Sequence, residues 1–346
     1  MFKDDILKTI TKYNLIQNGD KIVVGLSGGP DSISLINVLN DIKNDNTIPL
    51  EFEIVAAHIN HNIREEAKLD EEYVVKYCKD KNIEIFILSA NVLERASNSK
   101  KSTEETGREV RYEFFEKILR DTNSNKIATA HTANDNAETV LMNMMRGSGT
   151  SGLKGIRAIR NERFIRPLIN TTREEIEEYC RQEDLNPRID KTNFENEYTR
   201  NKVRNLLIPF IKEQFNPNII TSINRLSDIV DEENKYLEKI TEYKYKEIVI
   251  SEEFGKEIIL DLKKFNNQDI VIKKRLILYT INMLNGNSQG IGKIHIDDII
   301  KLCDKNLGNK YLTPNKHIKI LIKDKKIFYI LTKVERRKDT KKSQKN

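Results

Sequence analysis

Apolar positions along this chain fall into two alternating patterns. Short apolar runs at 21–26, 52–57, 83–88 and 126–130, bounded by polar or glycine-rich turns, predict strands buried on both faces. Between them the spacing turns helical. Ile6, Ile10 and Tyr13 recur within 4–16, Ile33, Ile36 and Leu39 follow the first strand, and Val74, Val75 and Cys78 lie within 65–81. A further helix is expected over 104–120, capped by Ser102 or Thr103, and another from Asn136; the polar stretch 90–101 reads as a loop. Strands alternating with helices predict the α/β class, a doubly wound parallel sheet whose site lies beyond the strands' carboxyl ends. Ser27, His58 and His131 stand at such ends.

Beyond Thr171 and Thr172, with acids following as at a capped helix start, a helix runs to about Glu183 and stops at Asn186-Pro187. Residues 188–198 are polar and loop-like, and 199–215 are helical with a kink expected at Pro209. A boundary near Asn216-Pro217 divides a catalytic domain, 1–215, from a smaller, mainly helical second domain, 216–335. In the latter, helices are expected over 219–245, 268–284 and 294–303, with a short strand at 258–262 and a β-hairpin within 317–331. His295 and His317 sit among apolar residues and read as structural. Residues 336–346 form a basic, disordered tail.

The turn after the first strand carries the sharpest chemistry. Ser27-Gly28-Gly29-Pro30-Asp31-Ser32 joins a strand to a helix, which aims backbone N–H groups and the positive helix end at one point, a setting for an anion. Gly28 and Gly29 let phosphate oxygens approach the backbone, and Ser27 and Ser32 add hydroxyl donors. Asp31 beside phosphates is repulsive unless a cation bridges them, which marks it as a Mg2+ partner. The plain alternative is a strand-to-helix turn with an acidic cap. No lysine follows the glycines, so this is not the Walker-type loop.

A second cluster lies at 131–139. His131 closes a strand, and Asp135 and Glu138, three apart, share a helix face. An imidazole and two carboxylates facing a phosphate site can hold Mg2+ or handle protons, although acids also favour helix N-termini for their own sake. Arg108 and Arg111 share a face of the helix over 104–120, where neighbouring glutamates supply an ordinary salt-bridge reading. Residues 154–173 carry Lys154, Arg157, Arg160, Arg163, Arg166 and Arg173 against Glu162, +5 in 20 residues. That density suits RNA phosphates or a solvated hairpin; its position next to the proposed site favours RNA.

The formal charge of +6 adds little to this, because the tail from Arg336 onward holds +5 and residues 1–335 only +1. Cys78, Cys180 and Cys303 form no paired spacing, which suits a reducing cytoplasm. No run of 18 apolar residues and no signal-peptide pattern occurs, so no membrane partner is expected.

Taken in order, 27–32, 57–64, 107–115, 131–139, 146–149 with 152–153, 166–168, 173–176 and 200–204 resemble the tRNA(Ile)-lysidine synthetases of the PP-loop ATP pyrophosphatase superfamily. Two positions depart from the family pattern: Asn134 stands where Asp is frequent, and Gly107 where Ala is usual. The resemblance implies a ligase that uses ATP and Mg2+ to join free L-lysine to C2 of the wobble cytidine of a CAU-anticodon isoleucine tRNA, through an adenylated cytidine, releasing pyrophosphate and AMP. It implies ATP at Ser27–Ser32, His58 and Arg108, and Mg2+ on Asp31 and Asp135. Chemistry would fall to Asp31, His131, Asp135 and Glu138, and tRNA contacts to Arg111, Arg146, Lys154, Arg157, Arg160, Arg163, Arg166, Arg200 and Arg204. It further implies that the second domain helps hold the tRNA. Many members carry a further C-terminal domain that nothing here matches; a homodimer is left open. Three rivals stand beside this reading: a tRNA-thiolating PP-loop enzyme, which needs a reactive cysteine, an amide-forming PP-loop synthetase, which leaves the arginine-rich segment unexplained, and a non-catalytic RNA-binding module, which has no use for the carboxylates.

Overall fold

A computed structural model of the chain describes residues 2–60, 67–99, 102–188, 198–305 and 310–332. The chain divides into two compact units, 1–231 and 232–346.

The first unit is built on a six-stranded sheet of β1 (Asp20–Gly25), β2 (Phe52–Asn60), β3 (Ile85–Ser89), β4 (Lys126–Ala128), β5 (Ile159–Arg160) and β6 (Phe164–Ile165), in the order β3-β2-β1-β4-β6-β5. All neighbours are parallel except β5 against β6. Alternation explains why β1 reads as continuously apolar. Ile22 and Val24 enter a core with α1 (Phe2–Tyr13), α2 (Pro30–Lys43), α3 (Ala67–Asp80) and later α8 (Arg173–Gln182), while Val23 enters the opposite core under α5 (Thr103–Thr122). The strand order reverses between β1 and β4, the place where such sheets open a crevice for ligands. α5 packs so close there that a Cβ on Gly25 would lie 2.8 Å from Phe115 Cζ.

Several elements differ from expectation. Residues 92–99 form α4 (Val92–Ser99) rather than a loop, because Val92 and Ala96, four apart, are both buried and Arg95 pairs with Glu113 of α5 at 2.7 Å. α6 (Ala133–Met145) begins three residues before Asn136, since Thr132 rather than a later residue caps it. The arginine-rich segment follows a short helix, α7 (Thr150–Leu153), and contains the β5–β6 hairpin at the sheet edge. The expected kinked helix over 199–215 is three pieces: α9 (Thr199–Lys202), a π-helical turn (Val203–Leu207) and α10 (Ile208–Gln214). Pro209 cannot donate to the carbonyl four back and its ring crowds that carbonyl; the widened turn, with Ile208 N–H on the Val203 carbonyl, relieves both.

The 216–217 turn does not end the first unit. α11 (Ile219–Ile248) continues through the 231/232 division. In the second unit α12 (Leu262–Asn266), α13 (Ile270–Asn285) and α14 (Lys293–Asp304) share a core with an antiparallel sheet, β7-β8-β11-β10-β9, where β7 is Val249–Glu253, β8 Glu257–Asp261, β9 Tyr311–Asn315, β10 Ile318–Lys323 and β11 Lys326–Leu331. Periodicity did not reveal the outer strands β7 and β9, whose residues are exposed or only partly buried. The expected hairpin is present, with Asp324 and Lys325 both left-handed at its two-residue turn. No described helix is long and apolar enough to cross a membrane. The tail expected at 336–346 lies outside the described residues.

One buried ion pair ties the start of β1 to β4. Lys126 Nζ lies 2.8 Å from Asp20 and donates to the Leu15 carbonyl at 2.6 Å; Asp20 also accepts from Gln17 N–H and Asn125. Burial would raise the Asp20 pKa, but Lys126 and these hydrogen bonds hold it below the usual range. Lys126→Ala strands that carboxylate and is expected to destabilise the fold by ~3–5 kcal/mol, measured by urea denaturation. A loss under ~1 kcal/mol would show the pair to be unimportant.

Candidate active site

At the end of β1 the chain turns through Ser27–Ser32. Gly28 takes φ +88°, which a residue with a Cβ resists, and Pro30 opens α2 with its fixed φ and missing N–H. Ser27 N–H donates to Ser32 Oγ at 3.1 Å, and Ser32 Oγ donates to the Gly29 carbonyl at 3.1 Å. Gly29 N–H reaches Ser27 Oγ at 3.4 Å, so the two hydroxyls brace the turn. The α2 N-terminus has no side-chain cap. By contrast α6 and α8 each close theirs with a complete capping box, Thr132–Asp135 and Thr172–Glu175. The first turn of α2 therefore keeps its positive end for a ligand.

His58 lies near the end of β2 beside this turn, buried, with Nδ1 2.9 Å from the Leu26 carbonyl. A carbonyl only accepts, so Nδ1 carries the proton and Nε2 is the acceptor. Nε2 is buried and has no hydrogen-bond partner among the described residues. The rest of the expected His58 motif, 61–64, lies outside the described residues.

After β4, His131 Nδ1 meets Thr129 Oγ1 at 2.9 Å. Asp135 serves two masters. Its Oδ2 closes the α6 cap on Thr132 N–H at 2.9 Å, and its Oδ1 accepts from Arg200 at 2.9 Å and Arg204 at 3.2 Å. Glu138, 1% exposed, accepts from Arg200 Nε at 2.7 Å and from Arg204 Nε at 2.6 Å. Arg200 and Arg204, expected at the tRNA, are thus engaged with the acid pair. They lie four apart, on α9 and the π turn, and the core of Ala133, Ala137, Val140 and Leu141 against Val203 and Ile208 sets both heads on one face.

These charges order the titrations. Burial and the charge of Asp135 push Asp31 up to about 6, against the pull of Arg173 and Arg204. Asp135 is deeply buried too, yet Arg200, His131 and the Thr132 N–H outweigh that burial and hold it below its ordinary value. Burial, with Arg166, Arg200 and Arg108 nearby, drives His131 down to about 4, so its imidazole is neutral at pH 7. Asp135 acts both on Asp31 and on His131, which sets the turn after β1 and the segment after β4 at one site.

The other expected residues divide. Arg157 pairs with Asp231 at 3.1 Å and Arg163 with Glu116 at 2.9 Å. Arg111 and Arg146 are exposed on α5 and at the α6 terminus, and Lys154 caps α7. Arg108 and Arg160 flank the Tyr112 ring at 5.2 and 5.1 Å, and Arg166 is buried beside them with a bond to the Arg157 carbonyl. Sequence reading missed Asn136, which accepts from Ile156 N–H at 2.6 Å and donates to Asn224 at 2.8 Å, fastening the segment after α7 to α6 and α11. A Cβ on Gly155 would fall 2.0 Å from its Oδ1. It also missed a cavity of about 460 Å³ lined by Glu138, Arg204, Asn134, Arg173, Glu174 and Lys212 among others. Glu138, Arg173, Arg204 and the helix break at Pro209 were each legible in the sequence, but nothing local shows that they enclose one cavity.

Among the described residues no group of three or more His, Cys, Asp or Glu is arranged to hold a metal ion. A Mg2+ that arrives with a nucleotide needs only one or two carboxylates beside phosphate oxygens. Asp31 fits, because its Oδ1 is buried without a hydrogen-bond partner. Asp135 has both oxygens engaged.

A doubly wound sheet with a glycine turn at β1 and no Walker lysine defines the class: the PP-loop domain family matches residues 2–211. The tRNA(Ile)-lysidine synthase of Clostridioides difficile (strain 630) is 46% identical over 97% of this chain and 71% of its own length. That of Clostridium tetani is 42% identical over 92% of this chain and 67% of its own. The chain belongs to the tRNA(Ile)-lysidine synthase family of PP-loop proteins, and spans about two thirds of the length of these relatives. Among solved structures, the U34-tRNA thiolase NcsA from Methanococcus maripaludis shares the fold at TM-score 0.54 and 19% identity, over 66% of this chain and 77% of that one.

Asp31 supplies a test of the site's electrostatics. Its folded pKa, about 6, exceeds the unfolded value of 3.8, so the ionised form is disfavoured in the fold: the penalty is absent below pH 4, grows to pH 6 and is complete above it. Asp31→Asn should therefore stabilise the ligand-free protein by up to ~3 kcal/mol at pH 7.5 and by almost nothing at pH 4, read from denaturant midpoints across pH. Equal effects at both pH values would refute the assignment.

Proposed function

We propose that the protein joins lysine to the wobble cytidine of an isoleucine tRNA with a CAU anticodon, using ATP. What carries this reading is the convergence of the uncapped Ser27–Ser32 turn with His131, Asp135 and Glu138 at the β1/β4 crevice. ATP lies with its phosphates on the turn and α2, where backbone N–H groups take up charge that develops as pyrophosphate leaves. Asp31 would hold Mg2+, which when bound neutralises phosphate charge. The cytidine, unstacked from an anticodon loop, enters the crevice, and its O2 attacks the α-phosphate while the bond to pyrophosphate breaks. Lysine then attacks C2 through its amine, the C2–O bond breaks and AMP departs.

The 460 Å³ cavity suits the lysine. Glu174, paired with Lys212 across the cavity, can turn to an ammonium, and Arg173 to a carboxylate, the charge pattern of a free cationic amino acid. His131, neutral at pH 7, offers a hydrogen bond rather than a stored proton. The thiolase alternative is weakened because all three cysteines are buried; burial pushes Cys78 and Cys303 up to about 12, far from a reactive thiolate.

The test is mass spectrometry of an isoleucine tRNA transcript incubated with protein, ATP, Mg2+ and lysine. The tRNA should gain one lysine. Asp31→Asn should lower kcat at least ~100-fold, and Glu174→Gln should raise the KM for lysine at least ~10-fold. A product that gains sulfur, or ATP cleavage driven by ammonia without tRNA, would replace this reading.

A further inference from the structure

We propose that Arg108, Arg160 and Arg166, gathered around Tyr112, form a seat for one phosphodiester of the RNA substrate, apart from the glycine turn that takes the nucleotide. This deepens the tRNA reading above and rests on it. Arg160 comes from β5, Arg166 follows β6, and Arg108 and Tyr112 rise from α5. The guanidiniums of Arg108 and Arg160 lie 5.2 and 5.1 Å from the Tyr112 ring, and Arg160 also lies 4.9 Å from Phe164. Tyr112 and Phe164 meet edge to face at 5.2 Å, so the platform under the cations is rigid.

Among the described residues none of the three makes an ion pair, whereas Arg157 and Arg163 of the same segment pair with Asp231 and Glu116. Arg160 Nε and Arg166 Nε are buried with no hydrogen-bond partner, and Arg166 is only 5% exposed. Burial and the nearby Arg160 and Arg108 push Arg166 down to about 10, still charged at neutral pH. Charge gathered against its own repulsion, with donors left open, is arranged for an anion with several acceptor oxygens. Its place in the sheet names the source. β6 is two strands from β1 and β5 three, or ~10–14 Å at normal strand spacing, so the seat flanks the crevice on its His131 side, where Arg108 and Arg166 are felt by that imidazole, rather than at the turn itself. A polynucleotide whose target base enters the crevice carries its flanking phosphates across that distance.

The experiment compares Arg160→Gln and Arg166→Gln with the wild-type chain. It measures anticodon stem-loop RNA affinity over a salt series, ATP affinity by calorimetry and thermal melting. Each variant should bind RNA about 10-fold more weakly, with the salt slope reduced by roughly 0.7, and keep ATP affinity within about twofold. Arg166 is buried; should its variant melt early, the half-buried Arg160 decides. Unchanged RNA affinity and slope would overturn the seat. So would loss of ATP or pyrophosphate affinity with RNA binding intact, which would give these arginines to the nucleotide. A wild-type protein that binds no RNA is the separate failure of the functional reading, visible before any variant, and it removes the seat as well.

Discussion

The site rests on two guanidiniums laid across two carboxylates. Glu138 is almost fully buried on the inner face of α6, where an unpaired carboxylate would be strongly unfavourable, and Asp135 is scarcely more open. Arg200 and Arg204 resolve this from a segment more than 60 residues later, so the acids of α6 have these partners only when α9 and the π turn are docked on it. The widened turn at Val203–Leu207 is part of the same solution. It lets the chain accept Pro209 while the apolar side of the segment stays on α6.

That ion-pair floor divides the neighbouring carboxylates into two kinds. Asp135, facing cations, ionises readily; Asp31, beside Asp135 and short of partners, ionises at a cost that a bound cation or ligand relieves. A residue that destabilises the empty protein and is relieved by what binds there follows the usual trade between stability and function. His131 completes the arrangement as a neutral imidazole, since the surrounding arginines make another positive charge unfavourable.

The helix starts show the same economy. α6 and α8 satisfy their own first N–H groups with capping boxes and are fastened together, Ala133 N–H on the Thr171 carbonyl at 2.9 Å and Arg173 N–H on Asn134 Oδ1 at 3.0 Å. α2 is left without such a cap, while its two serines brace the preceding turn. The departure at Asn134 thus has a structural use, because its amide oxygen accepts a backbone donor of the next helix.

The sequence by itself determined the α/β alternation, the turn at Ser27–Ser32 and the family, because strand runs buried on both faces, glycines with short hydroxylic neighbours and ordered motifs are local patterns. It also marked Asp135, though spacing could not say whether the acid capped a helix or served a ligand; the folded chain has it doing the first while also facing Arg200 and Arg204. Helix α4 escaped notice because two buried residues in a polar stretch carry too weak a period. Which arginines in 154–173 pair with acids and which stand open was beyond any sequence pattern. Their partners, Asp231, Glu116 and Tyr112, lie on α11 and α5, tens of residues away, and only packing decides which charge meets an opposite one and which is left facing an aromatic ring.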